Sequence, residues 1–327
     1  EEGIMKNSTY DKFSARAKVD VNLSKKVKIG INLSPYYSLQ KKPGTDLTDY
    51  LRFPSWLPIR HNEATAALTG KIAGEYAHPY HFNGISISGY GYNNETWHLP
   101  GVSVWSSSNQ NPVSIRERTD IRTENYRLQG NMYVTVNIIP DLQFKSSNGI
   151  YYSNKEYNQK EQTSAKKENN PNSLTRELTR HAEILSENTL NYNKNFNEHE
   201  IEGLLGFTLQ KTNDRYDAMV GTGFPDEKIL SFNLASQILL DKTTSFYYSE
   251  SLVSLLGRIN YAYRGKYLIS TSLRADGSSK FHKDHRWGTF PSLSIGWRVS
   301  EENFFKKINW MSNFKIRVSH GLTGNNN

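Results

Sequence analysis

The sequence VSLLGRINYAYRGKYLISTSLRA, residues 253–275, decides the fold. On both sides of Gly265, apolar residues stand at every second position and mostly polar residues stand between them. Alternation of this kind predicts β-strands with one apolar and one polar face, and the glycine between the two runs predicts a tight turn. Both runs are longer than the ~5–6 residues of an average strand. The stretch therefore predicts a long, two-faced β-hairpin.

The same alternation recurs along the chain. Further runs lie at 13–23, 27–37, 126–138, 142–152, 184–196, 201–209, 287–299 and 314–318. Tight turns are predicted at 24–25, 140–141, 197–199 and 265, and long loops at 39–118, 154–182, 212–249 and 277–286. The connection at 300–311 should be short in this series, yet it is longer. The loop at 39–118 has room for one more hairpin around 82–92.

This order of short and long connections selects a fold class. An up-and-down meander with short turns at one end and long loops at the other is typical of outer-membrane β-barrels. A soluble sandwich would instead have Greek-key connections and shorter strands. We therefore predict an all-β fold, an antiparallel up-and-down transmembrane β-barrel that is incomplete, with about ten strands of a larger barrel.

Aromatic residues fall where a membrane-spanning strand needs them. Trp287 and Trp297 share a face and lie ten residues apart. At ~3.3 Å per residue and a tilt near ~45°, they are about 23 Å apart along the barrel axis, close to the ~25 Å height of the apolar band. Tyr263 and Tyr267 flank the tight turn on the same face. This spacing favours a membrane span over ordinary core aromatics.

Charged side chains fall on the polar face of the predicted strands. An arginine that faces lipid at mid-depth costs ~2–4 kcal/mol, whereas one that faces a watery lumen stays hydrated. The charges of the polar face are Arg16, Lys18, Asp20, Arg127, Arg258, Arg274, Arg298 and Arg317. Ser146, Asn148 and Lys194 are exceptions on the predicted lipid face, so the strands at 141–153 and 184–196 fit the pattern less well.

Composition excludes several classes of function. The 327 residues contain no cysteine, which removes disulfides, thiolate metal sites and cysteine nucleophiles. The net charge of +8 comes from 40 basic and 32 acidic residues. Because the basic residues are scattered singly, we predict no nucleic-acid partner. No run approaches the ~18 consecutive apolar residues of a membrane helix.

Motifs that carry catalysis are missing from the sequence. It has no nucleophile elbow, phosphate-binding loop, dinucleotide fingerprint or His-Glu-x-x-His motif. His282 and His285, and likewise His78 and His81, could be drawn as metal ligands, but such pairs in polar loops are more often solvated. We therefore predict no catalytic residue, no cofactor and no metal, and a protein that is not an enzyme.

Aromatic residues in the first long loop are the candidates for substrate binding. Aromatic faces among amide donors suit sugars or peptides at a pore mouth. The candidates are Trp56, Tyr90, Tyr92, Trp97 and Trp105. The alternative is a loop that packs on itself.

Several long motifs carry a resemblance to a known family. They are LGRINY at 256–261, YLISTSLRADGSSKF at 267–281, RWGTFPSLS at 286–294, GWR at 296–298 and GLTGN at 321–325. With these motifs the chain resembles the SusC/RagA family of TonB-linked outer-membrane transporters. The resemblance is strong over 250–325 and weak over 39–118.

The resemblance implies TonB-dependent import of a large nutrient, a glycan or peptide oligomer, across the cell outer membrane. It also implies a plug domain, the TonB complex and a SusD-like surface lipoprotein as partners, besides outer-membrane lipid. We expect residues 1–327 to form one partial barrel, with the plug domain and the C-terminal strands outside it. Two alternatives stay open: a secreted, soluble β-sandwich that binds glycans, and a passive porin.

Overall fold

The computed structural model describes residues 3–55, 57–82, 110–166, 170–305 and 310–324. Its strands are β1 (Thr9–Ser14), β2 (Ala17–Asn22), β3 (Val27–Lys42), β4 (Thr119–Ile139), β5 (Leu142–Glu161), β6 (Ser173–Phe196), β7 (His199–Thr222), β8 (Gln237–Ile238), β9 (Thr244–Tyr263), β10 (Tyr267–Ser278), β11 (Trp287–Arg298) and β12 (Lys315–Gly321). The helices are α1 (Leu47–Arg52), α2 (Glu63–Thr69) and α3 (Pro112–Arg118). Within the described ranges, no helix is long and apolar enough to cross a membrane.

The strands form one antiparallel sheet in the order β1-β3-β4-β5-β6-β7-β9-β10-β11-β12. The strands β1 and β2 are two halves of one interrupted strand, since both pair with β3. The interruption lies opposite Pro35, which has no N–H to donate, although the N–H of Ala15 still donates to the Pro35 carbonyl at 3.2 Å. The predicted up-and-down meander of about ten strands is confirmed.

Short turns lie at one end of the sheet. They join β2 to β3, β4 to β5, β6 to β7 and β9 to β10. Asn197, Arg264 and Gly265 have φ of 51°, 56° and 61°, a left-handed conformation that tight hairpin turns need. The connection 299–314 lies at the same end, and the long connections 43–118, 162–172, 223–243 and 279–286 lie at the other.

Two of the loops are shorter than predicted, so their predicted bounds were wrong. The loop predicted at 154–182 is only 162–172, and that predicted at 212–249 is only 223–243, because β5, β6, β7 and β9 continue beyond their hydrophobic alternation. The backbone pairing persists there while both faces carry polar side chains, so hydropathy no longer marks the strand. The hairpin predicted around 82–92 lies, apart from Phe82, outside the described residues.

The pairing register assigns every strand residue to a face, because directly paired residues point to the same side. One continuous row at the short-turn end consists of Phe196, His199, Tyr263, Tyr267, Trp297 and Ile316. We name the face that carries this row the outer face and the opposite face the inner face. The outer face holds the odd-numbered residues of β1–β3, β7 and β9–β11 and the even-numbered residues of β4–β6 and β12.

The apolar outer face is not covered by a second layer. Leu205 is 63% exposed and Val318 is 70% exposed, and Ile259, Leu273 and Ile295 are each about half exposed. Among the described residues, the clusters of buried hydrophobic side chains lie at the long-loop end, around Phe82 and around Phe224. The soluble sandwich is therefore wrong, since it needs these faces to bury one another.

Candidate functional site: the inner face and the long loops

The inner face is mostly polar, with apolar residues such as Leu204, Leu256 and Leu268 among the polar ones. Arg127, Arg258, Arg274 and Arg317 all lie on it by the pairing register, as the sequence predicts. Arg274 donates to Asp276 at 2.8 Å and to the Ser254 hydroxyl at 3.0 Å. This face can therefore line a water-filled passage.

An acidic and aromatic surface occupies the inner face of β5–β7 toward the long loops. His181 Nδ1 lies 2.6 Å from Asp214 Oδ1, and Gln210 donates to Glu183 at 3.2 Å. The ring of Tyr151 packs edge-on against His181 with centroids 5.5 Å apart. Sequence reasoning missed this surface because it placed these residues in or beside loops. The available signal was alternation of charge sign, as in Arg176-Glu177, rather than alternation of hydropathy.

More aromatic rings extend the same surface across the neighbouring strands. Tyr216 of β7 and Phe246 of β9 are direct partners on the inner face, with centroids 5.6 Å apart. Tyr157 and Tyr248 stand on this face of β5 and β9. Rings beside carboxylates and amides offer stacking faces and hydrogen-bond acceptors to hydroxyl or amide groups of a ligand. We name this surface, from Tyr151 to Tyr248, the vestibule surface.

The first long loop is fixed to the rim of the sheet through Asn111, whose side chain is fully buried. Its amide donates to the carbonyls of Ile59 at 2.8 Å and Ala77 at 2.9 Å. Its carbonyl caps α3, accepting from the backbone N–H of Val113 at 2.9 Å. Beside it, the Ser114 hydroxyl donates to the carbonyl of Ser164 in the second long loop. Two loops are thus joined at this rim.

Three imidazoles lie beside this junction: His61 stacks on His81, and His78 meets His81 edge-on. His78 Nδ1 accepts from the backbone N–H of Asn111 at 3.0 Å, and His61 Nε2 lies 2.8 Å from His81 Nδ1. Burial lowers the pKa of His78 to about 4 and the pKa of His81 to about 3. Both rings are therefore neutral near pH 7, which suits structural hydrogen bonds. The described residues include no group of three or more side chains placed to hold a metal ion.

An open pocket of about 750 Å³ lies where the first three long loops meet. Its wall includes Tyr76, whose ring lies 3.9 Å beneath the guanidinium carbon of Arg60. Arg118 donates to Gln162 at 3.0 Å, and Glu227 accepts from the backbone N–H of Thr163 at 3.0 Å. The loops therefore hold one another in place above the vestibule surface.

The five predicted binding residues lie outside the residues that the structure describes: Trp56, Tyr90, Tyr92, Trp97 and Trp105. Their role stays a prediction.

Comparison with known proteins agrees with the barrel-wall geometry. No family profile matches the chain. The TonB-dependent receptor P39 of Formosa agariphila is 28% identical over 330 residues, covering 99% of this chain and 28% of that receptor. The TonB-dependent receptor SusC of Bacteroides thetaiotaomicron is 28% identical over 354 residues, covering 100% of this chain and 31% of SusC. The chain thus spans about 30% of the length of these curated relatives.

Solved structures share the fold. The RagAB peptide importer in its open-open state superposes with a TM-score of 0.70 at 16% identity, over 96% of this chain and 32% of the importer chain. The chain resembles the SusC/RagA type of TonB-dependent receptor. The predicted resemblance and the incomplete barrel are both confirmed, and these relatives are receptors and transporters rather than enzymes.

In a SusC/RagA-type wall the outer face meets lipid and the inner face lines the lumen, so the chain belongs to the outer membrane. The row from Phe196 to Trp297 then forms one aromatic girdle. Toward the long loops, Tyr37 packs on Tyr126 with centroids 4.8 Å apart, and both lie on the outer face. At that end of β11, Trp287 also lies on the outer face and covers Gly277, its direct partner on β10.

A cluster of four polar residues on β5 and β6 interrupts the outer face within the lipid-facing band. Ser146 and Asn148 of β5 pair directly with Asn188 and Ser186 of β6. On β5 the Asn148 amide donates to the Ser146 hydroxyl at 3.2 Å, and on β6 the Asn188 amide donates to the Ser186 hydroxyl at 3.3 Å. The sequence expectation that Ser146 and Asn148 face lipid is correct. Lys194 also lies on this face near the short-turn end, paired with Asp141.

Proposed function

We propose that this chain is part of the barrel wall of a TonB-dependent outer-membrane transporter that imports a large nutrient, a glycan or peptide oligomer. The observation that carries the proposal is the register of the sheet, which separates an apolar outer face from a polar inner face over ten consecutive antiparallel strands. A wall of this kind has lipid on one side and water on the other. The names of the relatives, TonB-dependent receptors, support energy coupling through TonB.

The vestibule surface is the first place where this wall would touch substrate. Its tyrosines offer flat faces, and its carboxylates and amides accept hydrogen bonds from hydroxyl or amide groups. On β6 and β7 the inner face carries acids and no Lys or Arg, which suits a neutral or cationic oligomer better than a polyanion. Lys155 of β5 adds a basic group between Tyr151 and Tyr157. The five aromatic residues of the first long loop would add further stacking faces.

The proposal also includes the other parts of the barrel and a partner protein at the cell surface. A plug domain and further strands outside residues 1–327 would complete and close the barrel. A SusD-like surface lipoprotein would cover the long-loop end, where Asn111 and His78 fix the first long loop and Ser114 joins it to the second. RagAB, a structural neighbour, is described as a peptide importer, which makes peptide oligomers one class to test beside glycans.

Nutrient uptake by cells that carry the full-length protein tests the proposal. Uptake of an oligosaccharide or peptide library is compared in strains with and without TonB. Import should stop when TonB is absent and should return when it is restored. Uptake that is independent of TonB would overturn active transport and would leave the passive porin, the alternative that shares the same wall.

A further inference from the structure

Two arginines lie side by side on the outer face of the sheet. Arg180 of β6 and Arg215 of β7 are direct cross-strand partners. Direct partners point to the same side, with Cβ atoms ~4.5–5.5 Å apart, and like charges in this position destabilise a sheet. Both side chains are exposed. An anion bound between them would remove this repulsion.

The neighbouring charges leave this pair only partly neutralised. Arg215 bonds to Asp217 at 2.8 Å, and Arg176, farther along the same face, bonds to Glu156 at 2.7 Å. Arg180 donates to the neutral amide of Asn154 at 3.3 Å, and within the described part of the chain it forms no ion pair at contact distance, although it acts electrostatically on Asp217. Lys211, also on the outer face, forms no ion pair within the described part of the chain. On the outer face of β6 and β7 in this region, four cations therefore stand beside one carboxylate, and the neighbouring strands add Glu156 and Glu124.

The cations stand at the border of the lipid-facing band. In the direction of the long loops, Lys211 is the next outer-face residue after Leu209 on β7. In the same direction on β6, Arg180 comes after Ile184 and Ala182. The pairing row that contains Arg180 and Arg215 continues through Asn154 to the outer-face aromatic pair Tyr126 and Tyr37. Side chains at this border, on the long-loop side, lie at the height of lipid headgroups in the outer leaflet.

The distribution of charge between the two faces is not that of a generally hydrated surface. On this part of β6 and β7 the inner face carries Glu177, Glu183 and Asp214 and no Lys or Arg, while the outer face carries four cations and one acid. Two faces that both met only bulk water would have no reason to differ in sign. The outer face is therefore complementary to something anionic beside the wall.

We propose that Arg180, Lys211 and Arg215 form a binding site for the phosphate groups of outer-leaflet glycolipids. Guanidinium groups recognise phosphate through paired N–H donors, and Lys adds a point charge. The site lies outside the lumen and is separate from transport. A bound phosphate would stabilise the upper parts of β6 and β7, which extend beyond the hydrocarbon layer.

The test uses the full-length protein in a mild detergent, with native mass spectrometry as the readout. Purified bis-phosphorylated lipid A is titrated in one arm, the same lipid without its phosphates in a second, and inorganic phosphate in a third. The test variant is Arg180→Gln/Lys211→Gln. The control is Lys242→Gln/Lys283→Gln, which removes two exposed positive charges from the long loops.

Wild type and control should bind the phosphorylated lipid, and the test variant should bind it at least about tenfold more weakly, given the usual strength of hydrogen bonds to charged groups. Equal affinity in wild type and test variant overturns the proposal. So does equal binding of the two lipids, or saturation of the site by inorganic phosphate at the same concentration. Loss of a co-purifying protein with unchanged lipid binding also overturns it, in favour of a protein interface.

A second variant distinguishes loss of charge from misfolding as the cause of weaker lipid binding. Arg180→Lys/Arg215→Lys keeps both charges and should retain most of the lipid binding. All variants should show the heat-dependent gel mobility of a folded barrel. A lysine variant that is folded yet binds no better than Arg180→Gln/Lys211→Gln would contradict recognition by charge.

Discussion

At the scale of single residues, His78 shows how burial makes one side chain sensitive to pH. Its ring is 2% exposed, and burial lowers the pKa of His78 to about 4. In an unfolded loop the same ring would titrate near pH ~6.5. Because the folded-state pKa is depressed, the unfolded loop binds more protons between these values, so loop stability falls as pH drops from about 6.5 to 4.

Lowering the pH from 7 to 5 should therefore weaken the docking of the first long loop by about 2 kcal/mol through His78 alone. Limited proteolysis of residues 57–82 in the full-length protein measures this as faster cleavage at pH 5. His78→Gln/His81→Gln removes two of the three titrating rings and should show weaker protection at pH 7 and a smaller change with pH. Equal protection of the wild-type loop at both pH values would contradict the argument.

Gly30 shows how one missing side chain admits another. It lies on the inner face of β3, and a Cβ at this position would overlap the ring of Tyr133, its direct partner on β4. The Tyr133 hydroxyl donates to Asp20 across the same space. The aromatic ring thus covers the bare backbone of the glycine.

Gly30→Ala should displace Tyr133 from Asp20 and lower the free energy of unfolding by about 1–3 kcal/mol, the usual cost of overpacking. Denaturant unfolding of the full-length protein in detergent measures the change. Gly206→Ala is the matched control, because its Cβ would make an ordinary contact of 3.5 Å with Leu256 on the same inner face. Similar losses for both variants would show that the ring over Gly30 is not the cause.

At the scale of elements, Glu302 joins the short-turn ends of β10 and β11. Its carboxylate accepts from Tyr267 at 2.7 Å, from Lys266 at 3.0 Å and from Trp297 at 3.2 Å. These hydrogen bonds lower the pKa of Glu302 to about 2. The carboxylate form is thus favoured in the folded state, and its contribution is lost as pH falls from about 4.5 toward 2.

Glu302→Gln should loosen the short-turn ends of β10 and β11, beside the turn that joins β9 to β10. Amide exchange at the turn residues Arg264 and Gly265 should become faster at neutral pH, and acid should change it less than in wild type. Glu301→Gln, a neighbouring change of the same kind, serves as the control. Unchanged exchange in Glu302→Gln would mean that the turn is held by its backbone hydrogen bonds alone.

Sequence reasoning located the elements where only one face meets water. The hairpin at 253–275 was predicted because lipid selects apolar residues on one side and water selects polar residues on the other. Beyond the lipid, as at 173–183, both faces are polar, and only pairing with β5 and β7 keeps the strand extended. The vestibule surface was missed for the same reason. Its residues become neighbours through register, which hydropathy does not encode in a polar strand.

At the scale of the whole molecule, stability depends on the two faces meeting different solvents. The described sheet buries few of its apolar side chains against protein, and the lipid-facing band must bury them instead. The band also tolerates Ser146 and Asn148, whose polar groups bond within their strand. A full charge with no partner is a different case, because hydrocarbon cannot hydrate it.

Phe207 and Thr208, neighbours on β7, give the sharpest test of this separation. Phe207 lies on the outer face and is 40% exposed, whereas Thr208 lies on the inner face opposite Glu187 and Ser254. Phe207→Arg should destabilise the full-length barrel by about 2–4 kcal/mol in lipid, the cost of an arginine near mid-depth. Thr208→Arg should cost far less, because water and the Glu187 carboxylate can stabilise its charge. Reversible unfolding in lipid vesicles measures both. Equal costs would mean that the two faces do not meet lipid and water, and the transporter wall inferred from them would be wrong.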